Sequence, residues 1–245
     1  MLSLLEAFDL LCKKNHLTYW LDHGTLLGAV RHHGFIPWDD DLDVTMPRDD
    51  YEKFLEVAKQ ELPENIFLQT KISDPHTPVH YAKLRDRNST YIDKWEEGRS
   101  IRYHQGIFMD IFPVNAIAFE KRVRYKNILN IAKIFSNRYL KIDSIANRMI
   151  QYLNGFHNEK NHYIVSGGES MHYVTHINRE TVFPLKQIPF EGKEFPAPGD
   201  YHSYLVSIFG KNYRELPPEE KRQIHSMVIL PKQKCSHEMR QDETK

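Results

Sequence analysis

Cysteine is nearly absent from this sequence. The 245 residues include two, Cys12 and Cys235, too few for a disulfide framework or a four-cysteine zinc site. A reducing compartment is the consistent reading. Neither sign of charge is in excess, since Lys+Arg and Asp+Glu each number 33; a dedicated nucleic-acid binder normally carries a strong basic surplus, so no nucleic-acid partner is expected. No apolar run reaches the length needed to cross a bilayer. The N-terminus lacks the basic start and small-residue cleavage site of a signal peptide. The expected location is therefore the cytoplasm, at the inner face of the cell membrane. Repeats and low-complexity tracts are missing too. What is present is a composition 40% hydrophobic and 12% aromatic, enough to bury one large domain or a core with a sizeable insertion.

Apolar periodicity predicts an amphipathic helix over residues 1–16, with Leu4, Leu5, Phe8 and Leu11 on one face. LTYWLDHG predicts a strand ending at Gly24, TLLGAVRHHG a short helix from Thr25 to Gly34, and FIPWDD a loop. DLDVTM predicts a second strand. Pro47 opens a helix, PRDDYEKFLEVAKQEL, whose early acids suit the helix dipole. IFLQT, HYAKLRD and GIFMDIFP read as further strands, 119–160 as helical and basic, IPFEGKEFPAP as a hairpin around Gly192, and DYHSYLVSIFG as a helix stopped near Gly210. The polar tail, 232–245, reads as disordered.

WDDDLDV, at 38–44, carries the most chemistry. On a strand, alternate side chains share a face, so Asp41 and Asp43 point together while Leu42 and Val44 enter the core. Two carboxylates held about 7 Å apart call for a positive charge between them, and hard oxygen ligands favour magnesium or manganese. Asp110 lies alone within the apolar GIFMDIFP, where packing gives no reason for an acid. The three form a natural ligand set for phosphoryl transfer. A solvated acidic loop remains open; a calcium loop fits poorly, because Val44 stands where the EF-hand pattern wants glycine and Asp50 where it wants glutamate.

Gly24-Thr25, between strand and helix, offers backbone N–H groups to a phosphate, and Thr25 can cap the helix. Arg31, Lys83 and Arg85 are candidates for gripping a diphosphate, with Lys83 and Arg85 on one strand face; an ordinary charged face reads equally well. Between 121 and 149 there are eight Lys or Arg against one acid, Asp143, with apolar residues at helical spacing. This predicts a basic amphipathic helix or pair, either lying on an anionic membrane or packed on the core. His172 and His176 have zinc-ligand spacing but no third partner, and read as structural.

DHGTLLGAVRHHGFIPWDDDLDVTMPRDDYEKF resembles the signature of the LicD phosphocholine transferases, related to the fukutin group. HYAKLRDRNST, GIFMDIFPVN and PFEGKEFPAPGDYHSYLVSIFGKNYRELPPEEKR resemble that family's later blocks; the likeness is weakest through 120–165 and after about 230. The resemblance implies an α+β fold: a nucleotidyltransferase-like mixed sheet flanked by helices, with a basic helical insertion. It divides the chain into a catalytic core (1–118), a basic helical segment (119–160), the remainder of the LicD-type domain (161–231) and the tail. It implies transfer of phosphocholine from CDP-choline to a sugar of a glycan or lipid-linked glycan precursor, of teichoic acid or lipopolysaccharide type, with Mg2+ or Mn2+. Gly24-Thr25 matches the family's Gly-Ser/Thr turn, Asp41 and Asp43 its metal pair, and Asp110 its third carboxylate. Trp38, Tyr91, Trp95 and Tyr103 are the candidates for an aromatic choline cage. A carboxylate of the cluster is the expected proton acceptor, ahead of His32, His33 and His104. A different CDP-alcohol donor, or a non-catalytic metal- or glycan-binding module, are the alternatives.

Overall fold

The structure, a computed structural model, describes residues 1–135, 143–170, 176–222, 224–236 and 239. The expected helical stretch 136–142, together with His172 and the strand-like Tyr173, Val174 and Thr175, lies outside the described residues. The fold is α+β. A mixed seven-stranded sheet carries helices, and two two-stranded ribbons are added at its margins.

Helix α1, Leu2–Lys14, buries Leu4, Leu5, Phe8, Leu11 and Cys12 on one stripe, as its apolar spacing predicts. A short strand β1, Trp20–Leu21, leads into α2, His23–His32, and then to β2, Asp43–Pro47. Helix α3, Arg48–Glu61, begins immediately after β2, with Asp49 and Asp50 in its first turn. β3, Ile66–Gln69, and β4, Ala82–Asp86, pair antiparallel. β5, Thr90–Asp93, leaves the main sheet. The longest strand is β6, Phe108–Ile117, buried at every position. Helices α4, Arg122–Phe135, and α5, Asp143–Asn154, follow. β7, Tyr163–Ser166, and β8, His176–Asn178, extend the sheet, and α6, Arg179–Val182, leads to the hairpin of β9, Lys186–Phe190, and β10, Lys193–Ala197. That hairpin turns at Glu191-Gly192, both at positive φ, the conformation favoured in two-residue hairpin loops. Helix α7, Tyr201–Phe209, and β11, Ser226–Leu230, complete the chain, with β11 pairing β5.

The order β1-β2-β6-β4-β3 places β6 in the centre, parallel to β2 and antiparallel to β4. One face of these strands presents Val44, Met46, Leu84, Met109 and Ile111 to α1 and α3, in a large hydrophobic cluster. Phe8 sits there edge-on to Tyr19 and Phe54. A second, smaller cluster holds Tyr125, Leu129 and Ala132 of α4, Ile150 and Leu153 of α5, and Ile117 and Val165 of the sheet. Between the two clusters lies a buried polar network. Arg48 donates to both carboxylate oxygens of Glu169, at 3.0 and 2.8 Å, to Asn115 Oδ1 at 2.8 Å and to Asn154 Oδ1 at 3.0 Å. Asn115 in turn donates to Tyr125, whose hydroxyl donates to the Ser166 carbonyl. Burying a guanidinium is costly unless each of its donors finds a partner, and this network supplies those partners.

Candidate active site

The site is built by strand register. Asp43 of β2 pairs with Asp110 of β6, and Asp110 pairs with Lys83 of β4. Directly paired residues on neighbouring strands, about 4.8 Å apart, project from the same face. One cross-strand row therefore reads carboxylate, carboxylate, ammonium. All three are buried. Lys83 Nζ stands 2.6 Å from Asp110 Oδ1, and the Tyr81 hydroxyl donates to Asp110 Oδ2 at 3.2 Å. Lys83 and Arg85 do share a face, and both lie over the Phe108 ring, at 3.8 and 4.9 Å.

Asp41 stands two residues before Asp43, outside the strand, which begins at Asp43 rather than at Asp41 as the alternation suggested. The ladder nonetheless reaches toward it: Asp110 N–H donates to the Leu42 carbonyl at 2.7 Å. Leu42 and Val44 are fully buried, as expected.

Thr25 does not cap α2. Asp22 does, accepting from His23 N–H at 2.7 Å. Being three residues earlier, its carboxylate reaches the helix entry, while the Thr25 hydroxyl accepts from the Asp43 N–H at 2.8 Å. Gly24 and Thr25 therefore lie inside the first turn of α2, not in a turn ahead of it as the sequence suggested, and Thr25 fastens that turn to Asp43. Gly24 serves a close approach: a Cβ there would lie 2.4 Å from Asp39 Oδ2. The Asp39 carboxylate sits over the start of α2, where the helix dipole favours an anion.

The electrostatics are those of a site short of positive charge. Burial, then the neighbouring acids, push Asp43 well above the usual carboxylate range. Burial, then Asp39 and Asp110, push Asp41 up to about 7. Burial also raises Asp39, against a hydrogen bond with Asp41. Asp22 and His23 behave as an ion pair: burial disfavours both charges, yet each holds the other charged. The oxygens that could hold a hard cation belong to Asp41, Asp43 and Asp110, with Asp39 beside them. Among the described residues, no three His, Cys, Asp or Glu side chains already converge as metal ligands.

The remaining sequence candidates are engaged with protein partners. Arg85 donates to Gln69 Oε1 at 2.6 Å and to the Gly106 carbonyl at 2.7 Å, bracing the sheet from within. Arg31 donates to the Tyr213 and Glu215 carbonyls. Trp38 lies between guanidiniums, with Arg222 at 4.5 Å and Arg31 at 5.9 Å from its ring. Tyr91 is buried edge-on to Phe108, the Tyr103 hydroxyl donates to Glu96, and Arg99 covers Trp95. Each of these four aromatics thus has a protein partner of its own. His104 is buried against Phe67 and accepts from Gly106 N–H; His32 meets Trp38 edge-on; His33 ends α2 in the left-handed conformation.

Sequence reasoning passed over Asp22, His23 and Tyr81. DHG immediately before the helix was the available signal for the first two, since Asp is a strong N-cap residue. It also left Asp40 undefined. That carboxylate accepts from the backbone N–H groups of His225 and Ser226, clamping the C-terminal arm across the acidic loop.

With this geometry in place, comparison with known proteins is informative. Residues 16–126 match the family described as LicD/FKTN/FKRP, nucleotidyltransferase domain. That span holds Gly24, Thr25, Asp41, Asp43, Lys83 and Asp110. The chain is also 29% identical over 260 aligned positions to the lipopolysaccharide cholinephosphotransferase LicD of Haemophilus influenzae, covering 91% of this chain and 92% of that protein. Residues 16–126 carry a LicD-family domain. Shorter likenesses are found as well. An uncharacterised protein of Rickettsia prowazekii is 58% identical over 40 positions, 16% of this chain and 15% of its own. Mannosyltransferase regulator 4 of Saccharomyces cerevisiae is 33% identical over 67 positions, 27% of this chain and 5% of its own.

Proposed function

We propose that the chain is a transferase that moves phosphocholine from CDP-choline to a sugar hydroxyl of a lipopolysaccharide- or teichoic-acid-type glycan precursor, releasing CMP. The observation that carries this reading is the acidic cluster of half-buried Asp41 with buried Asp43 and Asp110, fastened through Thr25 to the first turn of α2 inside the family-matching span. Its likeness to a protein named as a lipopolysaccharide cholinephosphotransferase supports the transferred group and the acceptor class.

The donor chemistry of the site fits a hard divalent cation, Mg2+ or Mn2+, because burial and the neighbouring acids raise the proton affinity of Asp41 and Asp43, and a cation there would balance the carboxylates' charge. Asp41, Asp43 and Asp110 would hold it. When bound, such an ion neutralises phosphate oxygens and aligns the attacking and leaving groups. The chain's own residues do the rest. Thr25 fixes the Asp43 backbone. Tyr81 and Lys83 fix the Asp110 carboxylate. The sugar oxygen attacks the choline-bearing phosphorus, the bridging P–O bond breaks, and CMP departs; a carboxylate of the cluster takes the hydroxyl proton.

The engagement of Trp38 with Arg222, of Tyr91 with Phe108 and of Tyr103 with Glu96 favours a second reading, in which the donor carries a different phospho-alcohol. Transfer of label from CDP-[14C]choline to a crude glycan acceptor tests both. Label in the glycan supports phosphocholine transfer. Label remaining in the donor, while another CDP-alcohol is consumed, replaces it with the second reading.

A further inference from the structure

Helix α4 breaks the charge balance of the chain. Residues 121–135 contain Lys121, Arg122, Arg124, Lys126 and Lys133 and no Asp or Glu, in a protein with 33 of each sign. Tyr125, Leu129 and Ala132 turn inward to the second cluster. The opposite face also exposes apolar residues. Val123 is 59% exposed, Ile134 56% and Ile131 46%, and Phe119, just ahead of the helix, is 55% exposed.

At 3.6 residues per turn, Val123 and Ile134 lie along one line facing away from the core, with Asn127 and Asn130 between them. Lys126 and Lys133 border that line on one side, and Arg124 and Ile131 on the other. Arg122 stacks over the Phe119 ring at 3.6 Å. Lys126, Lys133 and His176 also feel one another. Burial first, and then Lys126, lowers Lys133; burial first, and then the two lysines, lowers His176. No acid opposes this group on α4 itself.

We infer that the outer face of α4, with Phe119, is a docking surface for an anionic lipid bilayer. An apolar line flanked by long cationic side chains is the arrangement that lies in the headgroup region, with the apolar residues reaching toward the acyl chains and the cations extending to lipid phosphates. The local basic excess sets the sign of the surface it fits. No helix of the described residues is long and apolar enough to cross a membrane, so the contact is peripheral. The inference stands apart from the transfer chemistry, because lipid binding is read without donor or acceptor.

The test is sedimentation of the full chain with vesicles of phosphatidylcholine alone and with vesicles that also contain phosphatidylglycerol. The expected result is binding to the anionic vesicles only, reversed by high salt. Lys126→Gln with Lys133→Gln lowers the partition coefficient about thirtyfold, at roughly fivefold per cation. Ile131→Ser with Ile134→Ser lowers it about tenfold with the charges intact. Lys59→Gln, on α3, leaves it unchanged. Circular dichroism melting confirms that the variants are folded, and the salt reversal of the wild type serves as an independent readout if the lysine pair fails to fold. Equal binding to both vesicle types, or binding unaffected by either pair, overturns the inference. Self-association in sedimentation equilibrium that the isoleucine pair abolishes, without anionic-vesicle binding, reassigns the face to a second copy of the chain and also overturns it.

Discussion

The central sheet and the α4–α5 hairpin break the usual inside–outside rule in opposite directions. In the sheet, Asp43, Lys83 and Asp110 are charged and buried. In the hairpin, Val123, Ile131 and Ile134 are apolar and exposed. Burial of a charge opposes folding unless something offsets it, and an exposed apolar line on a helix gives folding nothing. Each region thus carries a feature that stability alone does not explain, and such features gather where a protein meets something else. The two are separated along β6, from Asp110 to Ile117, by about 23 Å at 3.3 Å per residue. The Arg48 network joins them.

That contrast can be broken or sharpened by substitution, beginning with the largest effect. Asp110→Asn and Asp43→Asn should each lower turnover by about a thousandfold or more, since an electrostatic group at the reacting centre is removed. Asp43→Asn should leave the melting temperature unchanged or raise it, because a neutral amide removes a carboxylate whose charge burial already disfavours. A thermal scan beside the activity assay checks both halves. A folded, fully active Asp43→Asn protein would move the chemistry elsewhere.

Next comes Arg48→Ala, which strands the Glu169 carboxylate and two asparagines at the junction. Breaking a buried pair from one side should cost about 3–5 kcal/mol in urea unfolding. Hydrogen exchange should show α4 and α5 opening before the sheet, because their own cluster is small. Simultaneous exchange across both regions would mean that they form one cooperative unit.

Gly24→Ala acts more locally. Its methyl group must displace Asp39, which lies within 2.4 Å of the Cβ position. A shift of this kind at a reacting centre should cut activity about a hundredfold while stability changes little. Measuring kcat/KM with a melting curve separates the two.

At the small end, Ile134→Ser should change stability by less than about 0.5 kcal/mol, whereas Leu42→Ala, in the core beside the acids, should cost about 2–5 kcal/mol. Paired urea titrations compare them. Similar costs would mean that Ile134 is packed, not presented.

The sequence was readable wherever the information is local. Alternation around Leu42 and Val44 announces a buried strand, helical spacing announces α1 and α3, and Gly192 announces the hairpin. What it did not announce depends on distant partners. Lys83 meets Asp110 because β4 and β6 pair in one particular register, and spacing within a single strand cannot reveal that. Arg31 is held by carbonyls of Tyr213 and Glu215, and Asp40 by the backbone of His225 and Ser226, so both depend on where the C-terminal arm returns. The β5–β11 ribbon was missed for a related reason: β11 is mostly exposed and lacks a clean alternation. Asp22 was overlooked because Thr25 is also a good capping residue, and only geometry distinguishes them.

The most direct test of the account is CMP release from CDP-choline, with Mg2+ or Mn2+ and a glycan acceptor, by the wild type and by Asp41→Asn. The account predicts release that requires the metal and the acceptor and is lost in the folded variant. Release that persists in Asp41→Asn, or that proceeds equally well with the metal chelated, would contradict it.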